Sequence, residues 1–132
     1  MKKIFALILF SIVTIIIICN HFTIVNINND TYLLVNLRNA QLKRRGLSHL
    51  NSLPSFLGAK FLFKKEGRVS FWMKDMKFNI DMYFLDASNN IVSRQCNISP
   101  CKENECPLIN VDKVKTVVEI LPREDCQSLT HL

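Results

Sequence analysis

The sequence predicts an α+β fold: a compact, β-rich, mostly antiparallel domain with one or two short helices, preceded by an N-terminal transmembrane helix. Three observations predict it. An apolar run over residues 4–19, broken only by Ser11 and Thr14, stands directly behind Lys2 and Lys3. The rest of the chain alternates short stretches of β-branched and aromatic residues with Asn, Asp, Gly and Pro clusters. One stretch only, 40–45, carries the start and stop signals of a short capped helix.

The first element is the apolar run. Its length is short for a span, but tilt, local thinning of the bilayer or interfacial seating of Asn20 and His21 accommodates it. A signal peptide shares the basic start and apolar centre, so cleavage is the question. The run ends Ile15-Ile16-Ile17-Ile18-Cys19-Asn20-His21-Phe22, without small residues at a cut site. Ile18 stands where a lipoprotein needs a small residue before the modified Cys. A signal anchor over 1–21 is therefore expected ahead of a cleaved signal or an irregular lipoprotein. Four consecutive isoleucines with no polar face argue against a buried core helix. The two lysines keep the N-terminus cytoplasmic, so the domain over 22–122 and the short tail over 123–132 are expected on the extracytoplasmic side.

The domain elements follow in order. Residues 22–27 read as a strand, Asn28-Asn29-Asp30 as a turn, and 31–35 as a second strand. Asn39 is placed to cap a helix over 40–45, with Lys43, Arg44 and Arg45 in the last turn, where cations suit the negative end of the macrodipole, and Gly46 closing it. Residues 47–58 are irregular. Phe61-Leu62-Phe63 reads as a short buried strand, Lys65-Glu66-Gly67-Arg68 as a turn with Gly67 at positive φ, and 69–73 as the returning strand. Residues 81–85 and 91–98 form a hairpin around Asp86-Ala87-Ser88-Asn89-Asn90. Residues 114–121 make the clearest late strand, and the polar tail after Pro122 reads as a helical turn or disorder.

The bulk numbers bound the function. A chain of 132 residues holds one domain, and the part beyond the leader is large enough to bury its own core. The net charge is +6 from 17 basic and 11 acidic residues; without Lys2 and Lys3 it is about +4. That mild excess, with a single tight cluster at Lys43-Arg44-Arg45, gives no expectation of a nucleic-acid partner.

Of five cysteines, Cys96, Cys101, Cys106 and Cys126 lie beyond the leader. Cys101 and Cys106 flank Lys102-Glu103-Asn104-Glu105, between Pro100 and Pro107, which reads as a loop closed by a disulfide. Free thiols are the alternative; a metal site would want tighter ligand pairs, and none is expected. Cys96 with Cys126 is a second candidate bridge, although four cysteines leave three pairings open.

The stretch Phe71-Trp72-Met73-Lys74-Asp75-Met76-Lys77-Phe78-Asn79-Ile80-Asp81-Met82-Tyr83-Phe84-Leu85-Asp86 resembles the signature of the uncharacterised prokaryotic family known as domain of unknown function 192. Agreement falls at Phe71, Trp72, Met73, Lys74, Asp81, Phe84, Leu85 and Asp86. Arg45-Gly46-Leu47-Ser48, Ser52-Leu53-Pro54, Gly58 and Phe61-Leu62-Phe63 follow the family pattern upstream. Pro100-Cys101, Cys106-Pro107 and Val118-Glu119-Ile120 follow it downstream. Asp75 and Met76 replace the usual Asn-Thr, Asn79 replaces Pro, and the usual last strand is missing. The resemblance spans residues 31–122 and implies a compact β-rich domain, often exported behind a signal or anchor. It implies no activity.

Candidate chemistry centres on that signature. Trp72, the sole tryptophan, serves a core, a rim or a ligand platform. Lys74, Asp75 and Asp81 are the candidate polar lining of a ligand cleft beside it. An acid at a strand start also commonly accepts backbone N–H bonds, and by alternation Asp81 points with Tyr83 and Leu85, opposite Met82 and Phe84. Other signals lapse. Asp86-x-Ser88-x-Asn90 lacks the Gly and Glu of a calcium loop. His49 and His131 have no helical His partner, and no nucleophile elbow or phosphate-cradling loop occurs. The leading expectation is a membrane-tethered binding or accessory module of the cell envelope, without cofactor, taking a small-molecule or envelope ligand. The alternatives are a hydrolase-type envelope enzyme using Asp81 as acid or base, and a purely structural interaction protein.

Overall fold

The computed structural model describes residues 2–102, 105–127 and 129–130. Glu103 and Asn104 of the proline–cysteine loop and His131 of the tail lie outside the described residues. Helix α1 (Lys2–His21) is followed by strands β1 (Phe22–Ile27) and β2 (Asp30–Leu37), helix α2 (Ala40–Arg45), and strands β3 (Leu57–Phe71), β4 (Ile80–Leu85), β5 (Ile91–Ile98), β6 (Ile109–Ile120) and β7 (Leu129–Thr130). The apolar side chains of α1 from Ile4 to Ile18 stand exposed around its circumference. Among the described residues no helix is long and apolar enough to cross a membrane.

The strands form one mixed sheet in the order β1-β2-β3-β6-β4-β5-β7. β2 and β3 run parallel, joined by a crossover holding α2, and the other pairs are antiparallel. Alternation sorts successive rows of residues to opposite faces. Leu37, Phe61, Val117 and Phe84 line up across four strands on one face, the larger core, where Phe71 meets Phe61 and Phe84 edge-on. Leu34, Gly58, Ile120 and Asp81 form a row on the other face, with Tyr32, Tyr83 and Val118. Gly58 is required there: a Cβ would stand 2.5 Å from the Glu119 carbonyl oxygen, 2.7 Å from Leu34 Cδ2 and 2.8 Å from Ile120 Cγ2.

Two expectations are corrected. Residues 57–71 make one long strand, not a hairpin turning at 65–68, because both halves pair with β6. The extra residues between Leu62 and Gly67 bulge out, Gly67 has no positive φ, and β6 answers with Lys113 at φ 58°. The tail returns along β5 as the two-residue strand β7. It is fixed by Arg123, whose guanidinium donates to Asp125, to Asp30 at 2.6 Å and to the Tyr32 hydroxyl at 2.6 Å. The Arg123 bonds to Asp125, with one from Asn28, hold the Asp125 carboxyl down at about 2. A Cys96–Cys126 disulfide staples the same tail to β5.

Candidate functional site

A cleft of about 550 Å³ opens between α2, β3 and the turn at 72–76, on the larger-core face of the sheet. Five cations line it: Lys43, Arg44 and Arg45 from α2, Arg68 from β3, and Lys74 from the turn. Phe63, Phe71 and Trp72 form apolar walls, and buried Phe61 lies at the floor. Local sequence explains the placement. Asn39 caps α2 by accepting from the Leu42 N–H at 2.8 Å, and the Gly46 N–H donates to the Leu42 carbonyl at 2.8 Å. Gly46 has φ 48°, and a Cβ would meet Phe61 Cζ at 3.3 Å, so glycine lets the basic last turn settle on the aromatic floor.

The turn after β3 is braced from beneath. Met73 is buried in the core, its carbonyl accepts from the Cys101 N–H at 3.3 Å, and Lys74 bridges to Cys101. Asp75 takes φ 61°, reversing the chain after Lys74. The Cys101–Cys106 disulfide closes the loop that supports this turn. Lys74 Nζ lies 5.5 Å from the Trp72 ring centroid and Lys43 Nζ 4.4 Å from that of Phe63. Burial, and then Lys64 nearby, pulls the Lys43 pKa below the usual lysine range.

Glu119 stands at the cleft floor. It projects from β6 between Ala59 of β3 and Met82 of β4, in the row next to Phe61, Val117 and Phe84. Only 4% of the residue is exposed, and no hydrogen bond or ion pair reaches its carboxyl among the described residues. No fully enclosed side-chain polar atom among those residues lacks a partner, so the Glu119 oxygens open onto the cleft. Burial pushes its pKa up to about 8, leaving it mostly protonated at neutral pH. Among the described residues, five cations therefore face two acids, Asp75 and the mostly protonated Glu119.

Trp72, Lys74 and Asp75 all line this cleft, and Trp72 is 51% exposed, a rim residue and not a core one. Asp81 does not belong with them. Alternation sends it through to the opposite face of the sheet with Tyr83, where it is fully buried. One carboxylate oxygen accepts from the Asn97 N–H at 2.7 Å and the other from the Arg123 N–H at 2.9 Å. Its work is to hold β5 and the tail in place. Asp81, Cys96 and Cys126 also approach within 4.8 Å of one another, but the two sulfurs are bonded together and the carboxylate is occupied.

Sequence reasoning missed Glu119 and Arg68, and ranked an anion site at the basic cluster behind its helix-capping role. Lys43, Arg44 and Arg45 do occupy the last turn of α2, and the same turn delivers them to the cleft rim. For Glu119 a signal existed: a lone acid inside Val117-Val118-Glu119-Ile120-Leu121, an otherwise apolar run on a central strand.

Two solved structures share the architecture. A candidate transcription regulator from Sinorhizobium meliloti superposes with a TM-score of 0.65 at 20% identity, over 76% of this chain and 78% of that one. A protein of unknown function from Novosphingobium aromaticivorans superposes with a TM-score of 0.66 at 18% identity, over 76% of this chain and 72% of that one. At such identities the likeness concerns the fold alone. No curated protein matches the chain. The family model for DUF192, described as Uncharacterized ACR, matches residues 22–126, and the chain belongs to that family.

Proposed function

We propose that the chain is a membrane-tethered, extracytoplasmic binding module of the cell envelope, and that its ligand occupies the cleft beside Trp72. The observation that carries this reading is the cleft: a basic rim and aromatic walls over a buried carboxyl with no partner among the described residues. Its location is supported by two disulfides, which persist in an oxidising compartment. The tether is supported by α1, whose exposed apolar side chains would otherwise face water. An acid–base role for Asp81 has no support in the geometry, because both its oxygens are engaged by backbone donors away from the cleft.

Four probes with one aromatic body test the cleft: phenylacetate, phenyl phosphate, phenethylamine and 2-phenylethanol. Each is titrated calorimetrically into the full chain in lipid nanodiscs. Wild type should bind at least one, and Trp72→Ala should lose that heat while its melting temperature falls by only a few degrees. Binding of none of the four, or unfolding of Trp72→Ala, would remove the reading. The tether predicts resistance of the full chain to alkaline carbonate extraction; release into the supernatant would remove that part.

A further inference from the structure

We infer that the cleft selects a small organic anion with an apolar body, and that Glu119 meets it as a neutral carboxyl donating a hydrogen bond to the anion's oxygen. This rests on the cleft being the binding site and names the class of ligand it takes.

Charge decides against the other classes. Among the described residues, Lys43, Arg44, Arg45, Arg68 and Lys74 border a space in which Asp75 is the only acid besides Glu119. No ion pair reaches Lys43, Arg44, Arg45 or Arg68 among the described residues. A cationic ligand would be repelled from that rim, and a neutral one would leave it unused. The walls of Phe63, Phe71 and Trp72 call for an apolar body as well as a charge.

Glu119 supplies the finer feature. From β3 it faces Ala59 and Phe61, from β4 Met82 and Phe84, and from β6 Val117, none of which carries charge. The charged groups before it are those of the cleft: the three basic residues of α2, Arg68 of β3, and Lys74 and Asp75 of the turn. With its pKa pushed up to about 8 by burial, the carboxyl keeps its proton at neutral pH. A protonated carboxyl in an apolar setting is a hydrogen-bond donor. Its oxygens open onto the cleft without a partner among the described residues, so an incoming anion oxygen can pair with the O–H. Ionised Glu119 would instead repel the same anion.

Phenylacetate, ionised across the range used, is titrated into the full chain in nanodiscs at pH 6 and pH 9. If only the protonated carboxyl accepts the anion, affinity should fall about tenfold at pH 9, the protonated fraction there being about one-tenth. Glu119→Gln, whose amide also donates, should bind as wild type does at pH 6 and lose that dependence. The exposed pair Arg44→Gln/Arg45→Gln should weaken phenylacetate about tenfold and leave 2-phenylethanol unchanged. Binding of phenethylamine as tight as phenylacetate would overturn the anion assignment while leaving the cleft a binding site. A pH dependence surviving in Glu119→Gln would overturn the role of Glu119, with Lys43 as its source. Silence from all the probes would remove both readings.

Discussion

Replacing Glu119 by Gln should make the stability of the fold nearly blind to pH between about 5 and 8. In the unfolded chain Glu119 has the ordinary glutamate pKa of 4.5, and in the folded chain burial raises it to about 8. Below both values the carboxyl is neutral in both states, and the stability it permits is fully present. Between them the unfolded chain releases a proton that the folded chain retains, so wild-type stability falls as pH rises, by about 1.4 kcal/mol per pH unit. Above about 8 the loss is complete. Integrated between pH 5 and pH 8, the difference between wild type and Glu119→Gln should change by roughly 3–4 kcal/mol in favour of the variant. Urea unfolding of the full chain in mild detergent, with disulfides intact and monitored by Trp72 emission, measures it at four pH values. A difference independent of pH would refute the reasoning, because the carboxyl would then ionise as freely in the fold as outside it.

Gly58→Ala places a methyl within 2.5 Å of a backbone oxygen and should cost about 3 kcal/mol, read as a lowered thermal midpoint. Gly67→Ala, with nothing within 4 Å of the new atom, should be neutral or slightly stabilising in the same melt. Asp81→Ala leaves the Asn97 and Arg123 N–H groups without their acceptor and should cost about 2–4 kcal/mol by urea unfolding, while calorimetry finds probe affinity in the folded fraction unchanged. Replacing Cys96 and Cys126 by Ser opens a bridge of sequence separation 30 and should cost about 3–4 kcal/mol. The same change at Cys101 and Cys106, at separation 5, should cost about 2 kcal/mol. Equal losses in the two serine pairs would contradict the loop-entropy argument.

Local features were legible in the sequence because their causes are local. The cap of α2 needs only Asn39 and Gly46 at the right offsets, and the β1–β2 turn needs only Asn28 and Asn29 at positive φ. Alternation along β4 placed Asp81 with Tyr83 and opposite Met82, as the two cores confirm. The apolar leader, the cysteines beyond it and the family signature were visible for the same reason.

Tertiary structure decided the rest. Whether 57–71 turns or runs straight depends on β6, a partner about fifty residues later, and pairing there outweighs the turn chemistry of Gly67. Alternation gave Asp81 a side but could not say which side held the cleft; the packing of α2 onto Phe61 set that. Glu119 shows the difference most clearly. Its chemistry was in the sequence, but its burial, its raised pKa and its place beneath a ring of cations come from neighbours on other strands and on α2. Electrostatic environment is a property of spatial arrangement, and no single stretch of chain carries it.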